Sequence, residues 1–229
     1  MPYHIWAKPE DISPLVVGVG DPTRAKLFAS VMEDVKLVNE NRFLVYTGHL
    51  GERRVTVASH GIGGPSVAIV LEEMKSLGME TFIRIGTAGS LGGLQVGDVV
   101  IAAGAAATPG GLYGAYFQSH CPPLSADPIL TTRLAQSLAA PVGYVVSSDA
   151  FYGEGPHFVE FWRSRGALAV EMECATAMAL GWLKGFKTGC VLVISNVVGR
   201  HEVADLREKF VEIFHRVVET ALAPSRQVA

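Results

Sequence analysis

Three cysteines in 229 residues, none in a CxxC spacing, leave too little material for a disulfide framework or a zinc site. Cys174 and Cys190 lie in apolar stretches and read as plain core residues. Long hydrophobic runs are also missing. No stretch approaches the ~20 apolar residues that span a bilayer. Yet 49% of the residues are hydrophobic and the mean hydropathy is +0.30. The surplus is assigned to subunit interfaces. An excess of charge of either sign is absent as well. Nineteen Lys and Arg face 22 Asp and Glu, a net charge of −3, which gives no hint of a nucleic-acid surface. The opening Met1-Pro2-Tyr3-His4 lacks the basic and apolar regions of a signal peptide, so a cytoplasmic location is expected. No repeat, linker or low-complexity segment stands out.

What is present is an alternation of β-branched runs and helical patterns. Strands are predicted over 15–19, 43–50, 53–59, 81–85, 98–107, 142–148, 169–172 and 190–198. Helices are predicted from Pro22 towards Met32 and over 65–77, 127–138, 158–165, 174–184 and 204–222. The segment 108–125 is expected to be the least ordered, and the chain from Pro224 a loose tail. The alternation predicts a single α/β domain over residues 1–229, a three-layer sandwich with a mixed central sheet.

Arg84 sits inside the buried-strand pattern Thr81-Phe82-Ile83-Arg84-Ile85-Gly86, with no acidic residue in the run. A guanidinium cannot lose its proton, so it needs an anion beside it. That anion is either a ligand, with phosphate the best match to the fork, or a carboxylate distant in sequence. Val17-Gly18-Val19-Gly20-Asp21-Pro22-Thr23-Arg24 is a strand running through a glycine turn into a helix N-terminus. Such a turn presents free N–H groups to an anion, and Arg24 adds a charge one turn later. An ordinary strand–helix turn is the alternative. It is neither a Walker motif nor a dinucleotide fingerprint. His60-Gly61-Ile62-Gly63-Gly64-Pro65-Ser66 is dense in glycine, for a close approach or for a simple turn. Val170-Glu171-Met172-Glu173 ends an apolar strand with two carboxylates on one side, suited to vicinal hydroxyls or to solvent. Phe151 and Tyr152 are placed either to stack on a planar base or to fill the core.

Taken jointly, "GDPTRA", "SHGIGGPS", "IRIGTAGSLGGLQVGDVVI", "SSDAFY" and "VEMECAT" resemble the trimer- or hexamer-forming nucleoside phosphorylase family. That family contains uridine phosphorylase, bacterial purine nucleoside phosphorylase and archaeal methylthioadenosine phosphorylase. The resemblance runs from His4 to the last helix. It implies a phosphate site of Gly20, Arg24, Arg84 and Thr87, with Arg42 supplied by a neighbouring subunit, although Phe43 stands where the family often has glycine. It implies a ribose site of Met172 and Glu173, with His4 crossing the interface to the 5′-hydroxyl. It implies a base site of Phe151, Thr87, Ala88, Gly89, His157 and Asn196. Arg84, Glu173 and Asn196 carry the chemistry. No metal and no cofactor are implied, since inorganic phosphate is a co-substrate. The implied partners are a nucleoside and phosphate, with no nucleic acid or membrane, in a homo-oligomer of three dimers forming a hexamer. Asn196 occupies the place where purine-specific relatives carry an Asp, which favours uridine phosphorylase over the purine and methylthioadenosine enzymes. A hydrolytic nucleosidase and a non-catalytic nucleoside-binding module are the competing readings. Arg24 and Arg84 speak against the first of these.

Overall fold

The computed structural model describes residues 2–108, 111–200 and 204–222. Among them, nine strands form one mixed sheet: β1 (Leu15–Val19), β2 (Glu33–Asn39), β3 (Val45–Leu50), β4 (Arg53–Ser59), β5 (Thr81–Ser90), β6 (Val99–Ala107), β7 (Val142–Ser147), β8 (Ala167–Glu171) and β9 (Lys187–Val197). The order across the sheet is β2-β3-β4-β1-β5-β8-β7-β6-β9. In addition β9 runs parallel to β5 from Thr81↔Lys187 to Ser90↔Val197, so β5, β8, β7, β6 and β9 close into a ring. The predicted sandwich stands, with half of its sheet curled on itself.

The helices are α1 (Pro22–Ala29), α2 (Gly64–Ser76), α3 (Gly111–Phe117), α4 (Pro128–Leu138), α5 (Pro156–Arg163), α6 (Cys174–Lys184) and α7 (Arg207–Leu222). Strand alternation sorts them into two layers. Leu15, Val17, Val19, Ile83 and Ile85 face α1, α4 and α7. Val16 and Phe82 face the other way, onto α2 and α6. Arg84 is in step with Phe82 and is therefore aimed into the α2–α6 layer.

The helix starts follow local chemistry. Asp21 caps α1, its side chain accepting from the Thr23 N–H at 2.7 Å, with Pro22 in the first turn. Asp127 caps α4 in the same way through Leu130 N–H at 2.8 Å.

Several sequence expectations are corrected. No strand is predicted at β2, and the predicted β5 ends at residue 85, whereas β5 continues through Gly86-Thr87-Ala88-Gly89 to Ser90 on the pairing offered by β9. The segment expected to be loose contains α3. The first helix stops at Ala29 rather than near Met32, and the last begins at Arg207 rather than at residue 204. The tail from Pro224 lies outside the described residues. Among those described, no helix is long and apolar enough to cross a membrane.

Candidate active site

Arg84 and Gly18 are register partners on the parallel strands β5 and β1. The glycine turn after β1, the N-terminus of α2 and the N-terminus of α6 converge beside them. Helix N-termini carry unpaired N–H groups and a positive dipole end, so this is a place for negative charge. Arg84 is buried, and the counter-ion comes from within the chain, 89 residues on: its Nη2 donates to Glu173 Oε2. Glu171 Oε2 lies 3.5 Å from the same nitrogen. Of the two alternatives left by the sequence, the distant carboxylate is therefore realised.

The pair does not exhaust the guanidinium. Arg84 Nε and Nη1 are buried and lack a hydrogen-bond partner among the described residues. That leaves one N–H on Nε and two on Nη1, three of the five donors of an arginine. Unpaired buried donors are expensive, so their persistence marks a place where an acceptor belongs. Burial alone would lower the Arg84 pKa. The Glu173 and Glu171 carboxylates outweigh it and hold the group above its ordinary value.

The two glutamates have separate duties. Glu173 Oε1 accepts from Gly63 N–H at 2.6 Å, so the carboxylate joins the start of α2 to Arg84. Burial would raise its pKa, but Arg84 pulls it below the carboxylate norm. Glu171 is consumed in structure, which corrects its reading as a second hydroxyl-binding carboxylate. Its oxygens accept from Ser147 Oγ at 2.5 Å and from the N–H groups of Glu173 and Cys174 at 2.8 and 2.9 Å. β8 ends at Glu171, and Met172, half-buried, is carried between the two.

Gly86 makes room for this arrangement. The Arg84 side chain curls back over it, and a Cβ at Gly86 would overlap Nη1 and Cζ. Arg24, on the first turn of α1, is half-buried with its guanidinium 3.9 Å above the Phe210 ring centroid. Burial pushes its pKa down to about 10.

Farther along β5, Thr87, Ala88 and Gly89 pair with β9. The register shifts between Ala88↔Ile194 and Gly89↔Asn196, which leaves Ser195 as a bulge. Asn196 is re-aimed by that extra residue. Its Oδ1 accepts from Ser195 Oγ at 3.1 Å, and its Nδ2 brings two N–H donors.

Other expected site residues stand apart. Phe151 and Tyr152 form a 3-10 turn and an edge-to-face pair at 5.2 Å, 62% and 100% exposed, so the core-packing alternative is set aside. His157 is exposed in the first turn of α5. Arg42 is exposed at a turn with φ of +63°. His4 is held at the far end of α2, where its Nδ1 lies 2.9 Å from Glu73 Oε1. Glu73 lies ten positions after Gly63, about 15 Å of helix at 1.5 Å each.

Glu73 has no place in any sequence motif, and Gly86 and His60 stand inside motifs that assign neither of them a role. Glu73 had a signal: it lies on the buried face of α2, three after Val70 and four before Leu77. Its carboxylate also accepts from the N–H groups of Tyr3 at 3.0 Å and Ile5 at 2.8 Å. The Glu73→Ala variant is expected to lose about 2 kcal/mol in urea unfolding. Faster proteolysis before residue 6 would accompany that loss. An unchanged midpoint would show that these bonds do not hold the segment.

A mixed sheet covered on both faces, with a buried Arg–Glu pair beside the C-terminal end of β1, defines an α/β protein with a charged site in its interior. The sequence profile of the phosphorylase superfamily matches residues 14–223, and the chain belongs to that family. It is 34% identical to the guanosine phosphorylase of Halorubrum lacusprofundi over 96% of this chain and 94% of that protein. It is 37% identical to the uridine phosphorylase of Treponema pallidum, over 84% and 81%. The crystal structure of uridine phosphorylase from Vibrio fischeri superposes with a TM-score of 0.81 at 28% identity, covering 95% of this chain and 94% of that one.

Proposed function

We propose that the protein is a nucleoside phosphorylase that cleaves the N-glycosidic bond of a ribonucleoside with inorganic phosphate, giving ribose 1-phosphate and free base. The observation that carries the reading is the set of three unpartnered N–H groups on buried Arg84, beside the glycine turn and within electrostatic reach of Arg24. Phosphate oxygens take those donors, with Gly20, Arg24 and Thr87 completing the cradle. Glu173 keeps free lone pairs for the ribose hydroxyls, and Met172 packs on the sugar. As the C1′–N bond breaks, positive charge builds on the ribose ring. The fixed phosphate stabilises that charge and then attacks C1′, while the bonding electrons leave with the base. No covalent enzyme intermediate, metal or cofactor enters.

The base is read through Asn196. Its Nδ2 donates to a carbonyl of the leaving base but cannot protonate a ring nitrogen as an acid would. That suits an oxo-base, with uridine the substrate we favour. Guanosine is the second reading, supported by the full-length similarity to a guanosine phosphorylase. His4 and Arg42 serve the site of a neighbouring copy. The length of α2 between Gly63 and Glu73 supports that exchange for His4. Exposed Tyr3, Trp6 and Ile62 supply an apolar contact surface for the same dimer, three of which form a cytoplasmic hexamer.

A panel of uridine, guanosine, inosine and adenosine, with and without phosphate, tests the proposal. Base release is expected only with phosphate, with uridine fastest. Release without phosphate would identify a hydrolytic nucleosidase, and tight binding without turnover a binding module. Asn196→Asp is expected to raise the ratio of purine to uridine cleavage about tenfold, and no change would place base selection elsewhere.

A further inference from the structure

His60 is a fully buried histidine that the proposed reaction leaves unused. It follows the last residue of β4, and its N–H donates to Val19 O at 2.8 Å, fastening it to the end of β1. Its Nδ1 lies 2.9 Å from the carbonyl oxygen of Gly61. A carbonyl only accepts, so in the neutral ring Nδ1 carries the proton and Nε2 is a bare acceptor. Nε2 is buried and has no partner among the described residues. The carbons on either side of it locate its edge. Cδ2 is 3.2 Å from where a Cβ on Gly18 would stand, and Cε1 is 3.8 Å from the same point on Gly20. The lone pair thus faces the glycine turn of the proposed phosphate cradle. Burial, reinforced by the charge of Arg84, pushes the imidazole pKa down to about 4, so the ring stays an acceptor at neutral pH.

Three unpartnered polar atoms therefore lie around the Gly18–Gly20 segment without satisfying one another. Arg84 Nε and Nη1 can only donate, and His60 Nε2 can only accept. Sulfate, which has only acceptors, satisfies the first two and opposes the third. An oxyanion that keeps one O–H satisfies all three. We infer that His60 Nε2 accepts a hydrogen bond from the O–H of hydrogen phosphate, making His60 the residue that selects phosphate over sulfate. The inference rests on the proposed phosphate site and adds its anion specificity.

Calorimetric titration of the intact protein with phosphate and with sulfate at pH 8 tests it, alongside initial rates with phosphate or arsenate, which also keeps an O–H. Phosphate is expected to bind at least tenfold more tightly than sulfate, and arsenate to support base release. His60→Phe keeps a planar ring without the acceptor. It is expected to bring the two affinities within about threefold, chiefly by tightening sulfate. His60→Gln, with a carbonyl acceptor, keeps part of the preference. Equal weakening of both anions in His60→Phe would reduce His60 to a packing role and overturn the inference. So would wild-type affinities within threefold of each other, a result that requires no variant to fold. If phosphate-dependent cleavage persists in that case, the inference alone fails. If phosphate neither binds nor promotes cleavage, the proposed function fails with it.

Discussion

Arg84→Met is expected to lower stability by about 3–5 kcal/mol at neutral pH, the usual penalty for orphaning a buried charge partner. The substitution keeps much of the side-chain volume but strips Glu173 of its counter-ion. Glu171 retains three hydrogen bonds and suffers less. The pH dependence follows from Glu173. Its folded pKa is depressed below the ordinary 4.5, so its pairing stabilises the protein above that value and is lost as pH falls through the folded pKa. The deficit of the variant should therefore be largest near pH 7 and shrink as the pH is lowered toward the carboxylate range. Urea unfolding at several pH values reads this directly. Adding Glu173→Gln to Arg84→Met should recover part of the loss, because the orphaned charge is then gone. The KM for phosphate is expected to rise about a hundredfold in Arg84→Met, whose side chain offers no N–H. A variant as stable as wild type and unchanged toward phosphate would contradict both the pairing and the anion role.

The Arg84 case also shows how much a sequence discloses. Burial was legible, because five of the six residues from Thr81 to Gly86 have strand character or small size around one cation. Its partner was not. Glu173 belongs to a different strand–helix junction, and only the return of β8 into the sheet brings it near. The strands with apolar alternation were found for the same reason that Arg84 was: burial leaves a period-2 pattern. β2 left none. Its residues Glu33 to Leu37 are exposed, at the edge of the sheet, and pairing with β3 holds them rather than a core. Asn196 was noticed as a departure from a family motif, but its orientation depends on the Ser195 bulge, which no local pattern announces. His4, Arg42 and His157 came from the resemblance alone. The structure sets His4 on Glu73 and leaves Arg42 and His157 exposed.

Gly86→Ala is the sharper probe, because it leaves every charge in place. The φ of Gly86 is not positive, so alanine meets no backbone penalty there. What it meets is the Arg84 guanidinium lying across its α-carbon. The arginine must move, and Glu173 is fixed by Gly63, so their contact is expected to open. A fork displaced by about 1 Å loses most of its catalytic value, since the gain comes from donors already in position. We expect kcat/KM for phosphate to fall at least about a hundredfold, roughly 2.7 kcal/mol of transition-state stabilisation. The companion substitution is Gly114→Ala in α3, where a Cβ meets nothing within 4 Å. It should be neutral or slightly stabilising, because alanine is the better helix former. If both variants keep wild-type phosphate kinetics, the position of the Arg84 fork is not what the anion reads. If Gly86→Ala fails while an Arg84→Lys variant, with the charge but not the fork, retains activity, charge rather than bidentate geometry governs binding.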